Sequence, residues 1–190
     1  MEETDTLELK RQLIHLLNGS AITVAVYLLK PIFGLLLLAP LLVAIFALHI
    51  APRVGGKLWI VERLMHHFER KRDRRKFPFK GAIFFGYGII APIALLDHAH
   101  AAAVILILAV GDSASTLIGR RWGRTRIGDK SFEGFLGFVV LGALAAAIFI
   151  DPKNAFFLAL IGGLIELVSK IDDNLIIPSS LSLIARLLLL

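Results

Sequence analysis

Asp112, Ser115, Thr116 and Gly119 stand at i, i+3, i+4 and i+7 around the inner end of the apolar stretch Ala99–Ile118. On a helix these positions share one small, polar face. Close helix packing accounts for the glycine and the hydroxyl residues. It does not account for a carboxylate, which costs about 2.5–3.5 kcal/mol or more near a bilayer centre. Glu166 repeats the pattern, with Ser169, Lys170 and Asp173 at the same intervals. The structural alternative there is a Glu166–Lys170 pair, with Asp173 or Asn174 as an N-cap. Taken as chemistry, Asp112, Glu166 and Asp173 converge on one side of the chain and make a hard-oxygen metal site suited to magnesium.

The segment Gly119–Gly134 supplies the opposite charge. Arg120, Arg121, Arg124, Arg126 and Lys130 alternate there with Gly119, Gly123, Gly128 and Gly134. Glycines let backbone approach a ligand closely, and arginine and lysine pair with phosphate oxygens. Acidic metal ligands beside such a loop are what the phosphates of a magnesium nucleotide need. The alternative is a solvated positive loop. Gly123 to Ser131 resembles a P-loop but carries one residue too many and follows no strand. At the N-terminus Glu8, Arg11 and His15 fall at i, i+3 and i+7, which brings His15 into the first apolar run from the charged side. His98 and His100 fall at the opposite end, and no zinc-ligand spacing occurs.

These side chains must be positioned by apolar elements. Of 190 residues 57% are hydrophobic and 19% charged, with no cysteine, a net charge of +6 and mean hydropathy +0.77. A soluble domain is about 45–50% apolar and about 25% charged. The composition excludes a disordered chain, a disulfide framework and a cysteine metal site. Seven stretches are nearly free of charge: Leu13–Leu29, Pro31–Ile50, Gly81–Leu96, Ala99–Ile118, Phe135–Ile150, Asn154–Val168 and Leu175–Leu190. Only Asp112, Glu166 and Arg186 interrupt them. They read as about seven transmembrane helices of one all-α domain over residues 1–190.

Of 21 lysines and arginines, 18 fall on one side of that topology. The skew predicts a cytoplasmic N-terminus and explains the basic pI without nucleic acid. No secretory signal is expected. Within the cytoplasmic loop 53–80, Leu58, Val61, Met65 and Phe68 predict an amphipathic helix in the headgroup layer, and the basic run from Arg70 to Lys76 an anchor on anionic lipid.

Four segments in order resemble the CTP-dependent lipid kinases: dolichol and phytol kinases and their prokaryotic polyprenol or diacylglycerol relatives. They are Glu8–His15, Phe79–Phe85, Gly111–Gly134 and Glu166–Pro178. Gln12 departs from the pattern, which often has a second basic residue after Arg11. The third segment is also similar to phosphatidate cytidylyltransferases, but their closing signature is missing here. The resemblance implies transfer of the γ-phosphoryl group of CTP to a membrane lipid alcohol at the cytoplasmic face of a prokaryotic cell membrane, by a minimal catalytic unit. It implies nucleotide contacts from Arg11, Ser115, Gly119, Arg120, Arg121, Gly123, Arg124, Lys130, Ser131, Glu133, Gly134 and Asn174. Magnesium would be held by Asp112 with Glu166 or Asp173, and Lys130 would balance phosphoryl charge. Asp173, Asp112 or His15 would take the hydroxyl proton. A lipid-phosphate cytidylyltransferase is the alternative enzyme, and a small proton or cation transporter the non-enzymatic one. Glycine- and alanine-rich spans such as Gly134–Ala147 also allow a homodimer.

Overall fold

The structure, a computed structural model, describes residues 2–54 and 77–188. The expected amphipathic helix over Leu58–Phe68 and the basic run after it lie outside the described residues. Eight helices are present among the described residues, and the chain is all-α apart from one short hairpin. Helix α1 (Glu2–Phe33) leads through a 3₁₀ turn (Gly34–Leu37) into α2 (Leu38–Val54). Then come α3 (Lys80–Gly88), α4 (Ile90–Leu95), α5 (His98–Trp122), α6 (Phe132–Ala146), α7 (Pro152–Val168) and α8 (Asp173–Leu188). Between α5 and α6, β1 (Arg126–Ile127) pairs antiparallel with β2 (Lys130–Ser131).

Each start has a local cause. Asp97 accepts hydrogen bonds from the amides of Ala99 and His100 and so opens α5. Ser131 accepts from the Gly134 amide at the head of α6. Asp151 accepts from Lys153, with Pro152 at the first turn of α7. Each of these side chains satisfies donors that a helix start leaves unpaired.

Helix α5 is the axis of the molecule. Ala101 to Ala109 are buried without a break, and α1, α6, α7 and α8 pack around them. Alanines let neighbouring backbones come close, so this axis is held by packing on all sides. At 25 residues α5 is about 37 Å long, longer than the ~30 Å hydrocarbon core of a bilayer.

Among the described residues, two helical stretches are long and apolar enough to cross a membrane by length and composition, Thr6–Arg53 and His98–Trp122. Lys80–Leu95 and Phe132–Ala146 are apolar and shorter. Where the sequence reads two separate spans, Leu13–Leu29 and Pro31–Ile50, the helical structure is almost continuous. It nevertheless folds back. His15 and Leu48 line one cavity, whereas on a straight helix they would be about 50 Å apart. The 3₁₀ turn at Gly34–Leu37 makes the reversal. The outward side chains of this hairpin are apolar, Leu17, Leu28, Ile32, Leu36, Val43 and Phe46 among them.

The fully buried Phe138 of α6 lies against Gly111 of α5 and Gly162 of α7. Phe138→Ala removes the ring that three helices share. It should cost about 3–5 kcal/mol, read as a lowered thermal midpoint in detergent.

Candidate functional site

The C-terminal halves of α5 and α7 and the start of α8 meet in an acidic cluster. Asp112, Glu166 and Asp173 each place a carboxylate oxygen within 4.8 Å of the others. This is a hard donor set of the size that holds a divalent cation. The helical-face reading of residues 166–173 is corrected here, because α7 ends at Val168 with Ser169 as its C-cap. Lys170 is exposed, and Glu166 pairs with Lys130 instead of Lys170. The N-cap reading is corrected as well. The Asn174 amide donates to the Asp172 side chain at 3.3 Å, and the Leu175 and Ile176 amides to the Asp172 carbonyl. Asp172 opens α8, which leaves the Asp173 carboxylate to the cluster.

Lys130 reaches the cluster from β2. Its ammonium donates to Glu166 and, at 2.9 Å, to Asp173. The hairpin delivers it, through a two-residue turn in which Gly128 takes a positive φ of 60°. Burial by itself lowers the Lys130 pKa, but the charges of Asp173 and Glu166 and their hydrogen bonds outweigh it. The net shift is upward from 10.5, so while the carboxylates are ionised the lysine's contribution is fully present below that value and is lost as pH rises through the raised pKa. Ser115 donates to Glu166 at 3.0 Å. The second oxygen, Glu166 Oε2, is buried with no hydrogen-bond partner. Glu166 is 1% exposed and forms its ion pair with Lys130.

The loop residues fall into two groups. Gly119, Gly123 and Gly134 sit where α5 crosses the head of α6, with Ser131 between them. A Cβ on Gly134 would meet the Ser115 carbonyl oxygen at 2.8 Å. Close packing therefore accounts for these positions, and Ser131 is the α6 cap. Glu133 accepts from the Thr125 amide at 3.1 and 3.2 Å and ties the loop shut. Arg121, Arg124 and Arg126 are exposed, with Arg121 over the ring of Trp122. The structure brings none of these three to the carboxylates. Arg120 turns toward the N-terminal helix, 3.8 Å from Glu8.

Glu8 is a residue that the sequence reading left without a role. It is 4% exposed, and its oxygens accept from Arg11 at 3.0 Å and Gln12 at 3.1 Å. The available signal was the i, i+3 and i+4 spacing of Glu8, Arg11 and Gln12. Lys80 and Asp172 form another such pair at 3.1 Å, joining the starts of α3 and α8.

A cavity of about 520 Å³ opens beside the cluster between α1, α2, α3 and the start of α8. Most of its wall is apolar, from Ile22, Leu41, Ala44, Ile45, Phe85 and Ile89. Arg11, Gln12, His15, Asp112 and Asn174 supply its polar lining. His15 Nε2 lies 3.8 Å from the Asp112 carboxylate, and its ring meets Phe85 edge-on. Asp112 thus belongs to both the acidic cluster and the cavity. Asn174 lines the cavity with His15.

Removing Lys130 leaves Glu166 as an uncompensated buried charge. Lys130→Met should therefore destabilise the protein by about 3 kcal/mol, and a second change, Glu166→Leu, should recover most of that loss. Denaturant unfolding of the two single variants and the double variant measures the coupling.

No family model and no solved structure matches the chain. It is 35% identical over 177 residues to the uncharacterized protein MJ1137 of Methanocaldococcus jannaschii, covering 90% of this chain and 88% of that protein. It is 25% identical over 143 residues to dolichol kinase of Saccharomyces cerevisiae, covering 68% of this chain and 27% of the kinase. Against dolichol kinase sec59 of Schizosaccharomyces pombe the figures are 36% over 84 residues, 39% of this chain and 17% of that protein. The chain therefore matches about a quarter or less of the length of either yeast protein. It belongs to one family with the M. jannaschii protein, and it is distantly similar to part of the two yeast dolichol kinases.

Proposed function

We propose that the protein is a membrane-embedded lipid-alcohol kinase that uses CTP as phosphoryl donor at its cytoplasmic face. One observation carries this reading: an apolar cavity of about 520 Å³ shares a single carboxylate, Asp112, with a buried acidic cluster that is bridged by a lysine. Such a cavity takes a hydrocarbon chain, and the cluster handles phosphate. Their common residue is where a hydroxyl and a phosphoryl group meet. The distant dolichol kinase relatives support the same class of reaction. CTP as donor rests on the four-segment resemblance.

The chain crosses the membrane about seven times in this reading, with the shorter helices gathered round α5. The exposed apolar flank of the α1–α2 hairpin supports it. In water such side chains forfeit about 25 cal/mol for each Å² of apolar surface left uncovered, whereas lipid covers them. The lipid chain lies between α1, α2 and α3, with its hydroxyl level with His15 and Asp112.

The alcohol oxygen attacks the γ-phosphorus, the bond to the β-phosphate oxygen breaks, and CDP leaves. The hydroxyl proton passes to Asp112 or His15, the two acceptors that line the cavity. Asp173, paired with Lys130 and away from that lining, is the weaker candidate. Lys130 stays protonated and neutralises phosphoryl oxygens as charge develops on them. Arg120, 3.8 Å from Glu8, suits the remaining phosphates, while Arg11 stays paired with both Glu8 oxygens.

Asp112, Glu166 and Asp173 fit magnesium, because each offers one hard oxygen within a common 4.8 Å and Glu166 Oε2 is buried without a partner. Bound there, magnesium supplies charge neutralisation and polarisation at the phosphate oxygens. Three acids gathered at one level also separate this reading from a transporter, which needs its carboxylates spread through the membrane depth.

The test is incubation of purified protein with γ-labelled CTP, magnesium and a panel of polyprenols, phytol and diacylglycerol. Labelled lipid and CDP are expected; release of pyrophosphate would instead indicate cytidylyl transfer. Asp112→Asn should lower turnover at least a hundredfold while leaving the thermal midpoint near that of the wild type. Near-normal turnover in that variant would sink the proposed role of Asp112.

A further inference from the structure

The cavity holds a buried polar atom that the catalytic scheme leaves unused. Gln12 is 7% exposed and lines the cavity one turn before His15. Its amide orientation is set by its neighbour: Nε2 donates to the Glu8 carboxylate at 3.1 Å, so Oε1 is the free end. That oxygen is buried with no hydrogen-bond partner. Asn174 Oδ1, from the first turn of α8, is buried and unpartnered too and belongs to the same cavity lining. The helix fold does not explain either atom. An unsatisfied buried carbonyl carries a free-energy penalty that a bound donor removes.

We propose that Gln12, together with Asn174, is the specificity contact of the lipid site: its side-chain oxygen accepts a hydrogen bond from an unphosphorylated hydroxyl headgroup and disfavours a phosphorylated one. This rests on the lipid-alcohol reading above. A hydroxyl has the hydrogen that these oxygens need and lone pairs left for attack. An ionised phosphate monoester has only acceptors to present, and it meets three further acceptors here: Gln12 Oε1, Asn174 Oδ1 and the Asp112 carboxylate. Arg11, the cation in the same lining, has its guanidinium turned onto both oxygens of Glu8. The arrangement favours substrate over product in the lipid cavity, and so favours departure of the phosphorylated lipid.

The experiment measures binding of tritiated farnesol to the detergent-purified protein without nucleotide, in competition with farnesyl methyl ether and farnesyl monophosphate. The ether keeps the chain and loses the donor; the monophosphate keeps the chain and adds charge. Wild-type protein should prefer farnesol over either competitor by about fivefold, the worth of roughly one neutral hydrogen bond. Gln12→Met keeps the length of the side chain and removes the acceptor. It should bring the alcohol-to-ether ratio close to one, with ether affinity unchanged. Asn174→Leu should shift the ratio in the same direction and leaves the Glu8 contact intact, so it stands if Gln12→Met unfolds. A ratio that survives both substitutions, or a wild type that binds the monophosphate as well as farnesol, overturns the inference while leaving the kinase reading in place. Failure of the wild type to bind any of the three ligands overturns both.

Discussion

The lysine bridge between Glu166 and Asp173 is the interaction on which the rest of the site depends. Three carboxylates lie within 4.8 Å of one another, and Glu166 is almost wholly buried. Their mutual repulsion and desolvation would be prohibitive without a cation, because removing charges from water costs several kcal/mol each even after relaxation. Lys130 supplies that cation from outside the helices, at the end of a two-stranded hairpin. The hairpin, the Ser131 cap on α6 and the Glu133 tie to Thr125 therefore share one task. They hold an ammonium group over the junction of α5, α7 and α8.

This dependence explains why the loop between α5 and α6 is built from small residues. Gly119 and Gly134 let α6 start directly against α5, and Ser115 and Ser131 fill the seam. A wider crossing would move β2 outward and take Lys130 with it. The same close approach aligns Ser115 with Glu166 across the seam at 3.0 Å. Packing and electrostatics coincide here, since the seam that brings the helices together also fixes the acid that the lysine neutralises.

Much of this was legible in the sequence, because charges in apolar runs are conspicuous. Asp112 and Glu166 stood out by their cost in hydrocarbon, and Asp173 joined them from the topology. The spacing Asp112, Ser115, Thr116, Gly119 describes a real helix face, since α5 runs unbroken to Trp122. The same spacing at Glu166 to Asp173 misleads. Periodicity does not reveal that α7 stops at Val168, and the residues converge through a turn instead of along a face. The partner of Glu166 was equally out of reach, since Lys130 is 36 positions away and arrives through a hairpin of two-residue strands. Only the fold shows Ser131 and Ser115 packed against the seam glycines, since close helix contact and a phosphate cradle both need a missing side chain.

Asp112 marks the boundary between two environments, and its position constrains the order of events. On its cavity side lie apolar walls with Arg11, Gln12, His15 and Asn174; on its other side lie the remaining acids and Lys130. In the proposed reading, a lipid alcohol enters the cavity lined by His15, Asp112 and Arg11, while a nucleotide meets Lys130 on the other side of Asp112. Neither substrate has to pass through the other's pocket. In that reading, a single carboxylate between the two pockets lets a small helical bundle join a greasy acceptor to a highly charged donor. It also explains why the least tolerable charge in the apolar part of α5 is the one the chain retains.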